Sequence, residues 1–232
     1  MVKKTISLAL FLLLGLYGTA QIAQNANTTL NDLSFFVDVN NSKYKDAEGS
    51  KYLDQQFTLA KINNLDKVYP VRFDLVDNIM EFKVNDKDVK GVTPKQAYRI
   101  VFVDGSDRIF TSKTIMGNSK DLERCFLEEV HVGDAFLLYK RQRKKFQKAQ
   151  PAKSGYEQGI SAKFKVMNTQ FYVDYIEDSI DYLLEIPRTK KKVKSFFGES
   201  GDALIKYAKK ERLAFDSKES LVKILEYRQQ IR

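Results

Sequence analysis

Between Tyr52 and Ile186, apolar residues recur mostly at every second position, and that period leaves few ways to fold. Tyr69, Val71, Phe73 and Leu75 alternate with Pro70, Arg72 and Asp74, and Met80, Phe82 and Val84 alternate with Glu81 and Lys83. Successive side chains of a strand point to opposite faces, so each segment buries one face and leaves the other polar. Asp77-Asn78 tolerates positive φ and predicts a tight turn between the two. Tyr98–Val103 and Arg108–Ser112, joined by Asp104-Gly105-Ser106-Asp107, form the clearest hairpin. Arg124–His131 turns at Val132-Gly133-Asp134 into a strand from Ala135 to Phe146. Ile160–Val166, Phe171–Ile176 and Ile180–Ile186 complete the set. Roughly eight to ten short strands in this arrangement predict an α+β fold, mainly antiparallel β: a curled sheet, a sandwich or an open barrel. Strands do not alternate with helices, which argues against a parallel doubly wound sheet.

After Pro187 the period changes. Lys190–Phe197 carries Val193, Phe196 and Phe197 at helical spacing and stops at Gly198. Asp202–Arg212 places Leu204, Ile205, Tyr207 and Ala208 likewise, and Asp216-Ser217-Lys218-Glu219 has the form of a capping box opening a last helix. Helices this short need a partner, so they are expected to pack on the sheet.

At the other end, Lys3-Lys4, the apolar run Ile6–Leu16 and the small residues Gly18-Thr19-Ala20 have the form of a signal peptide cleaved before Gln21. A spanning helix needs about 20 apolar residues, more than this run supplies. Cleavage removes two lysines and no acidic residue, so the formal charge falls from +9 to +7. Residue 21 is not cysteine, so no acylated anchor is expected. The organisation read from the sequence is thus 1–20 signal peptide, 21–50 polar lead-in with an apolar island at Leu33–Val39, 51–187 β domain, and 188–232 C-terminal helices. The lead-in is too polar to bury much surface and reads as extended or partly disordered, with Leu33–Val37 a candidate edge strand. Asn27-Thr28-Thr29 matches a glycosylation sequon, a pattern that recurs by chance.

Catalytic patterns are sparse. Cys125 is the single cysteine and reads as a buried hydrophobe, since one thiol makes no disulfide within the chain. His131 is the single histidine, which rules out a multi-histidine metal site, and about 20 Å of strand separates it from Cys125. The motifs of serine hydrolases and of nucleotide-binding loops are missing from the sequence. Glu128-Glu129 and Glu177-Asp178 are adjacent pairs whose members point to opposite faces, so they read as solvated carboxylates. No catalytic residue, metal or cofactor is expected. The one concentrated feature is cationic: Lys140, Arg141, Arg143, Lys144, Lys145 and Lys148, followed by Lys153. Such a face attracts anionic partners, among them lipopolysaccharide phosphates and membrane headgroups. Lysines also block strand edges from unwanted pairing, and that reading weighs more here. A second run, Arg188–Lys194, reads as the solvated side of an amphipathic helix. Export argues against nucleic acid as the partner of either.

Several segments resemble a group of uncharacterised secreted proteins of Bacteroidetes-type Gram-negative bacteria. They are Gly49-Ser50-Lys51-Tyr52-Leu53 leading into a Phe57 strand, Tyr69-Pro70-Val71-Arg72-Phe73, Met80-Glu81-Phe82, Ser154-Gly155-Tyr156-Glu157, and Lys206–Leu213. Position 51 departs, being Lys where similar proteins often have Pro. The resemblance carries no activity; it implies the Gram-negative envelope, periplasm or cell exterior, as the place of action. Asp178-Ser179-Ile180 looks like a short O-glycosylation pattern of such bacteria.

The function expected on these grounds is that of an exported, non-enzymatic envelope protein, soluble or peripherally attached, binding or supporting another macromolecule. A carrier of an apolar ligand inside a curled sheet is the alternative. A hydrolase built from distant carboxylates is the third.

Overall fold

The computed structural model describes residues 36–39, 42–63, 65, 67–117, 121–152, 158–177 and 180–231. The signal segment, the Asn27 sequon, Lys153, Ser154–Glu157 and Asp178-Ser179 lie outside these residues.

Among the described residues, thirteen strands run β1 Phe36–Asp38, β2 Thr58–Ile62, β3 Val68–Asp74, β4 Ile79–Lys83, β5 Val89–Val92, β6 Arg99–Phe102, β7 Ile109–Met116, β8 Leu122–Val132, β9 Phe136–Arg141, β10 Lys144–Gln147, β11 Lys163–Val166, β12 Gln170–Tyr175 and β13 Leu184–Glu185. Eleven of them form one antiparallel sheet ordered β1-β5-β4-β3-β2-β6-β7-β8-β9-β12-β13, and β10 and β11 form a separate ribbon. The architecture is therefore an open, curled sheet, mainly antiparallel as its alternation predicts. The curl brings Leu183 back against β7, where its N–H donates to Thr114 O at 2.9 Å and its carbonyl accepts from Met116 N at 3.0 Å. Helices α1 Lys190–Phe197, α2 Gly201–Lys210 and α3 Lys218–Gln230 follow. Among the described residues no helix is long and apolar enough to cross a membrane.

Three cores follow from the pleat. Tyr69, Val71 and Phe73 of β3 pack with Met80 and Phe82 of β4 and with Ile100, Phe110 and Phe126 inside the curl. Further along, Phe136, Leu138, Phe171 and Val173 lie under Val193, Leu204, Leu221 and Leu225 of the three helices. On the reverse face, Cys125, Leu127, Tyr139 and Tyr172 pack around Ile115 and Leu183. Phe126 and Leu127 thus belong to different cores although they are neighbours, as opposite-facing strand residues must.

Turn chemistry matches the local sequence. Asn78 (φ 55°) and Asp107 (φ 53°) adopt the left-handed region, as does Gly105 (φ 80°). Gly198 (φ 57°) ends α1. Several expectations change. The single strand from Ala135 to Phe146 is two, because after Arg141 the chain leaves the sheet and Lys144 N bonds to Leu75 O at 3.0 Å instead. The last strand shrinks to Leu184–Glu185, since Leu183 is taken up by β7. β5 carries no strong alternation, and Gly91 serves there because a Cβ would stand 2.7 Å from Ile79 Cγ2 and 3.0 Å from Val37 Cγ2. The N-cap of α3 is Ser217, whose Oγ accepts from Ser220 N at 3.3 Å, rather than Asp216. β1 forms the sheet's edge against β5, where the lead-in island predicts an edge strand.

Candidate functional site

The polar faces of β3 and β4 do not meet water. Arg72 stands opposite Glu81 in the hairpin register, with Asp74 two residues further along β3. Segment 42–57 folds over them: Leu53 N bonds to Phe73 O at 2.9 Å and Leu75 N to Lys51 O at 3.0 Å, pinning this segment along the end of β3. Lys51 thereby enters a buried position, where its Nζ binds both Asp74 Oδ2 and Glu81 Oε1, the latter at 3.0 Å. Arg72 donates to Glu81 Oε2 through Nε (2.9 Å) and Nη2 (2.7 Å), and Nη2 also meets the Tyr52 hydroxyl at 2.6 Å. The guanidinium lies on the rings of Tyr52 (3.7 Å) and Phe57 (4.2 Å). Asp74 Oδ1 accepts from Val76 N (2.8 Å) and Asp77 N (3.0 Å), so one carboxylate both closes the turn and neutralises Lys51.

Two cations and two carboxylates are thus balanced out of water. Burial works against the Lys51 ammonium, but Asp74 and Glu81 outweigh it and hold its pKa above the ordinary lysine value. Burial, then the charge of Glu81, pushes the Tyr52 hydroxyl up. Above the cluster opens a cleft of about 500 Å³, lined in part by Tyr44, Lys45, Tyr52, Gln55, Arg72 and Phe164. Both carboxylates lie beneath it, each with less than 2% of its surface exposed, so neither presents a proton or an oxygen to the opening.

The ribbon forms one wall. Its inner face places Phe146 and Phe164 against Tyr44, with ring centroids 5.0 and 5.4 Å from the tyrosine. Lys144 reaches inward and donates to Ser50 O (2.8 Å) and Tyr52 O (2.7 Å), and burial lowers its pKa. Glu48 adds a third backbone segment beside Lys163: its N–H donates to Ala162 O at 2.8 Å. The outer face is cationic. Lys145 lies directly opposite Lys165, and Lys163 sits opposite Gln147 on the same side.

The six cations predicted from the sequence therefore separate. Lys140 pairs with Glu128 at 2.6 Å, and Arg141, on the reverse face of β9, is buried against Glu123. Arg143 has its Nε buried, and Lys144 turns inward. Lys145 and Lys148 are exposed, and the partners that join Lys145 in a cationic face are Lys163 and Lys165 across the ribbon. Glu128 and Glu129 do not share a site; they pair with Lys140 and Arg99 and are largely covered rather than solvated. Cys125 is fully buried, and burial pushes its thiol up to about 11. His131 stacks on Phe136 at 4.9 Å. Among the described residues no group of three His, Cys, Asp or Glu side chains could hold a metal ion.

Sequence reading missed Lys51, Asp74 and Glu81 as a cluster. The signal available was indirect: three of the segments quoted for the expected resemblance, Gly49–Leu53, Tyr69–Phe73 and Met80–Phe82, are the ones that meet here. Lys206–Leu213 lies apart, on α2 and the turn after it. Compared with protein-family models, with curated proteins and with solved structures, the chain matches none.

Proposed function

We propose that the protein is an exported, non-enzymatic binding protein of the cell envelope, and that it meets its partner, a phosphate-bearing anionic lipid surface, through the outer face of the β10–β11 ribbon. The observation that carries this reading is the direct opposition of Lys145 and Lys165, with Lys163 on the same face. Like charges opposite one another weaken a strand pair, so an outside anion gives the arrangement a use. Among the described residues none of these three lysines has an ion pair within 4.0 Å. The ribbon presents them on a firm base, because its inner face is tied down by Lys144 and the Tyr44–Phe146–Phe164 contacts. Export rests on the N-terminal pattern of Lys3-Lys4, Ile6–Leu16 and Gly18-Thr19-Ala20.

The alternatives gain less support. A carrier needs an interior cavity, and the inside of the curl is filled by Phe73, Phe102, Phe110 and Phe126 in edge-on and tilted contact. A hydrolase needs accessible carboxylates, and the converging pair Asp74 and Glu81 is sealed and already bound to cations.

The test is cosedimentation of the chain from Gln21 onward with vesicles of anionic or of neutral phospholipid. Each lysine near an anionic surface contributes about 1 kcal/mol, so the double reversal K145E/K165E should weaken binding more than tenfold, and added salt should weaken it too. Equal binding to neutral vesicles, binding unmoved by the reversal, or no binding to either would overturn the proposal.

A further inference from the structure

The last turn of α3 carries Arg228, whose guanidinium lies over the rings of Tyr175 (4.4 Å) and Phe197 (5.7 Å). Its Nε and Nη1 are buried and have no hydrogen-bond partner among the described residues. Guanidinium does not shed its charge by deprotonating, as a buried lysine can. Ring faces return part of the lost hydration, but they do not satisfy an N–H. A buried donor left unmet is costly, and more so when charged, so two such donors side by side call for an acceptor.

A partly enclosed cavity of about 160 Å³ lies beside Arg228, between β12, the segment 180–184 and α1. Ile180, Leu184, Phe196 and Phe197 give it hydrocarbon walls. Asp174 also reaches it, but its carboxylate is engaged by Lys113 Nζ at 3.1 Å. The cavity thus offers, on one side, a ring-stacked cation with no ion pair among the described residues and, on the other, apolar surface.

We infer that this cavity binds a small monocarboxylate with a short apolar body, its carboxylate on Arg228 and its body against Phe196, Phe197 and Leu184. Charge-assisted hydrogen bonds from a guanidinium to a carboxylate are among the strongest available to a side chain. A dry cavity of about 150 Å³ accepts a benzene-sized molecule, which sets the body at about six carbons. Inorganic phosphate would leave the apolar walls uncovered, and a lipid chain exceeds the volume. This site is separate from the lysine ribbon and does not depend on the lipid-surface reading.

Benzoate and benzamide, matched in shape and different in charge, are the probes. Titration of each into the isotope-labelled chain, followed by amide NMR, should give saturable shifts around Leu184, Phe196 and Phe197 with benzoate, and at least about tenfold weaker binding of benzamide. Arg228→Gln should abolish that preference. Equal affinity for the two, or saturation by neither, would overturn the inference. The comparison uses the unaltered chain, so it stands even where the variant fails to fold.

Discussion

Arg72 and Glu81 face each other across the β3–β4 hairpin, and the guanidinium holds a single carboxylate oxygen, Oε2, through both Nε and Nη2. That leaves Oε1 for Lys51 and for the Tyr52 hydroxyl, 3.2 Å away. One carboxylate therefore joins the hairpin to the segment that covers it. Breaking a buried pair by removing one partner strands the other charge, a loss of about 3–5 kcal/mol. Glu81→Gln should destabilise the fold by that amount in urea titrations at neutral pH.

Lys51→Met should cost as much at neutral pH, but with a different pH dependence. The folded pKa of the Lys51 ammonium is held above the ordinary lysine value, so its contribution is complete below that value and is lost as pH rises through the folded one. The deficit of the variant should therefore shrink as pH rises beyond the ordinary lysine pKa of about 10.4. Urea unfolding of both chains at neutral and alkaline pH measures the gap; a constant gap would contradict the buried cluster.

Burial raises the Cys125 thiol from 9.0 to about 11 and the Tyr172 hydroxyl from 10.0 to about 12. Both folded values lie above the unfolded ones, so their contribution is complete below pH 9 and is lost as pH rises through 11 to 12. Stability should fall across that window, by about 2–3 kcal/mol from the thiol alone. A thiol reagent at neutral pH should label Cys125 only at the rate at which the protein opens, since the group is fully buried.

Gly201 opens α2, where alanine gains about 1 kcal/mol of helix propensity. A Cβ there would stand 2.7 Å from both Cα and O of Lys194. Backbone cannot swing aside as a side chain can, and overpacking costs about 1–3 kcal/mol. Gly201→Ala should therefore lower the thermal midpoint, and a rise would mean that α1 and α2 are less closely seated.

Much of the β fold was legible because its signals are local. Alternation assigns Tyr69, Val71 and Phe73 to one face and Arg72 and Asp74 to the other without any knowledge of the partner strand. Asn78 and Gly105 mark turns through backbone freedom. The candidate site was harder, because a polar face satisfied by buried ion pairs has the same sequence as a polar face satisfied by water. Lys51 meets Asp74 and Glu81 from 23 and 30 residues away, and its alternation predicts neither contact.

The sequence by itself determined where most of the strands and helices lie, where most of them turn, and which side of the alternating strands is apolar. Tertiary structure decided that β10 leaves the sheet, that Lys140 and Arg141 spend their charge on Glu128 and Glu123, and that Lys145 faces Lys165 across a ribbon. It also placed Lys51, Arg72, Asp74 and Glu81 in one buried cluster between the hairpin and the segment above it. Periodicity records what a residue prefers as its neighbour, water or hydrocarbon. Which charge a charge will meet depends on chain closure over tens of residues, and only the folded chain brings those partners within hydrogen-bond reach.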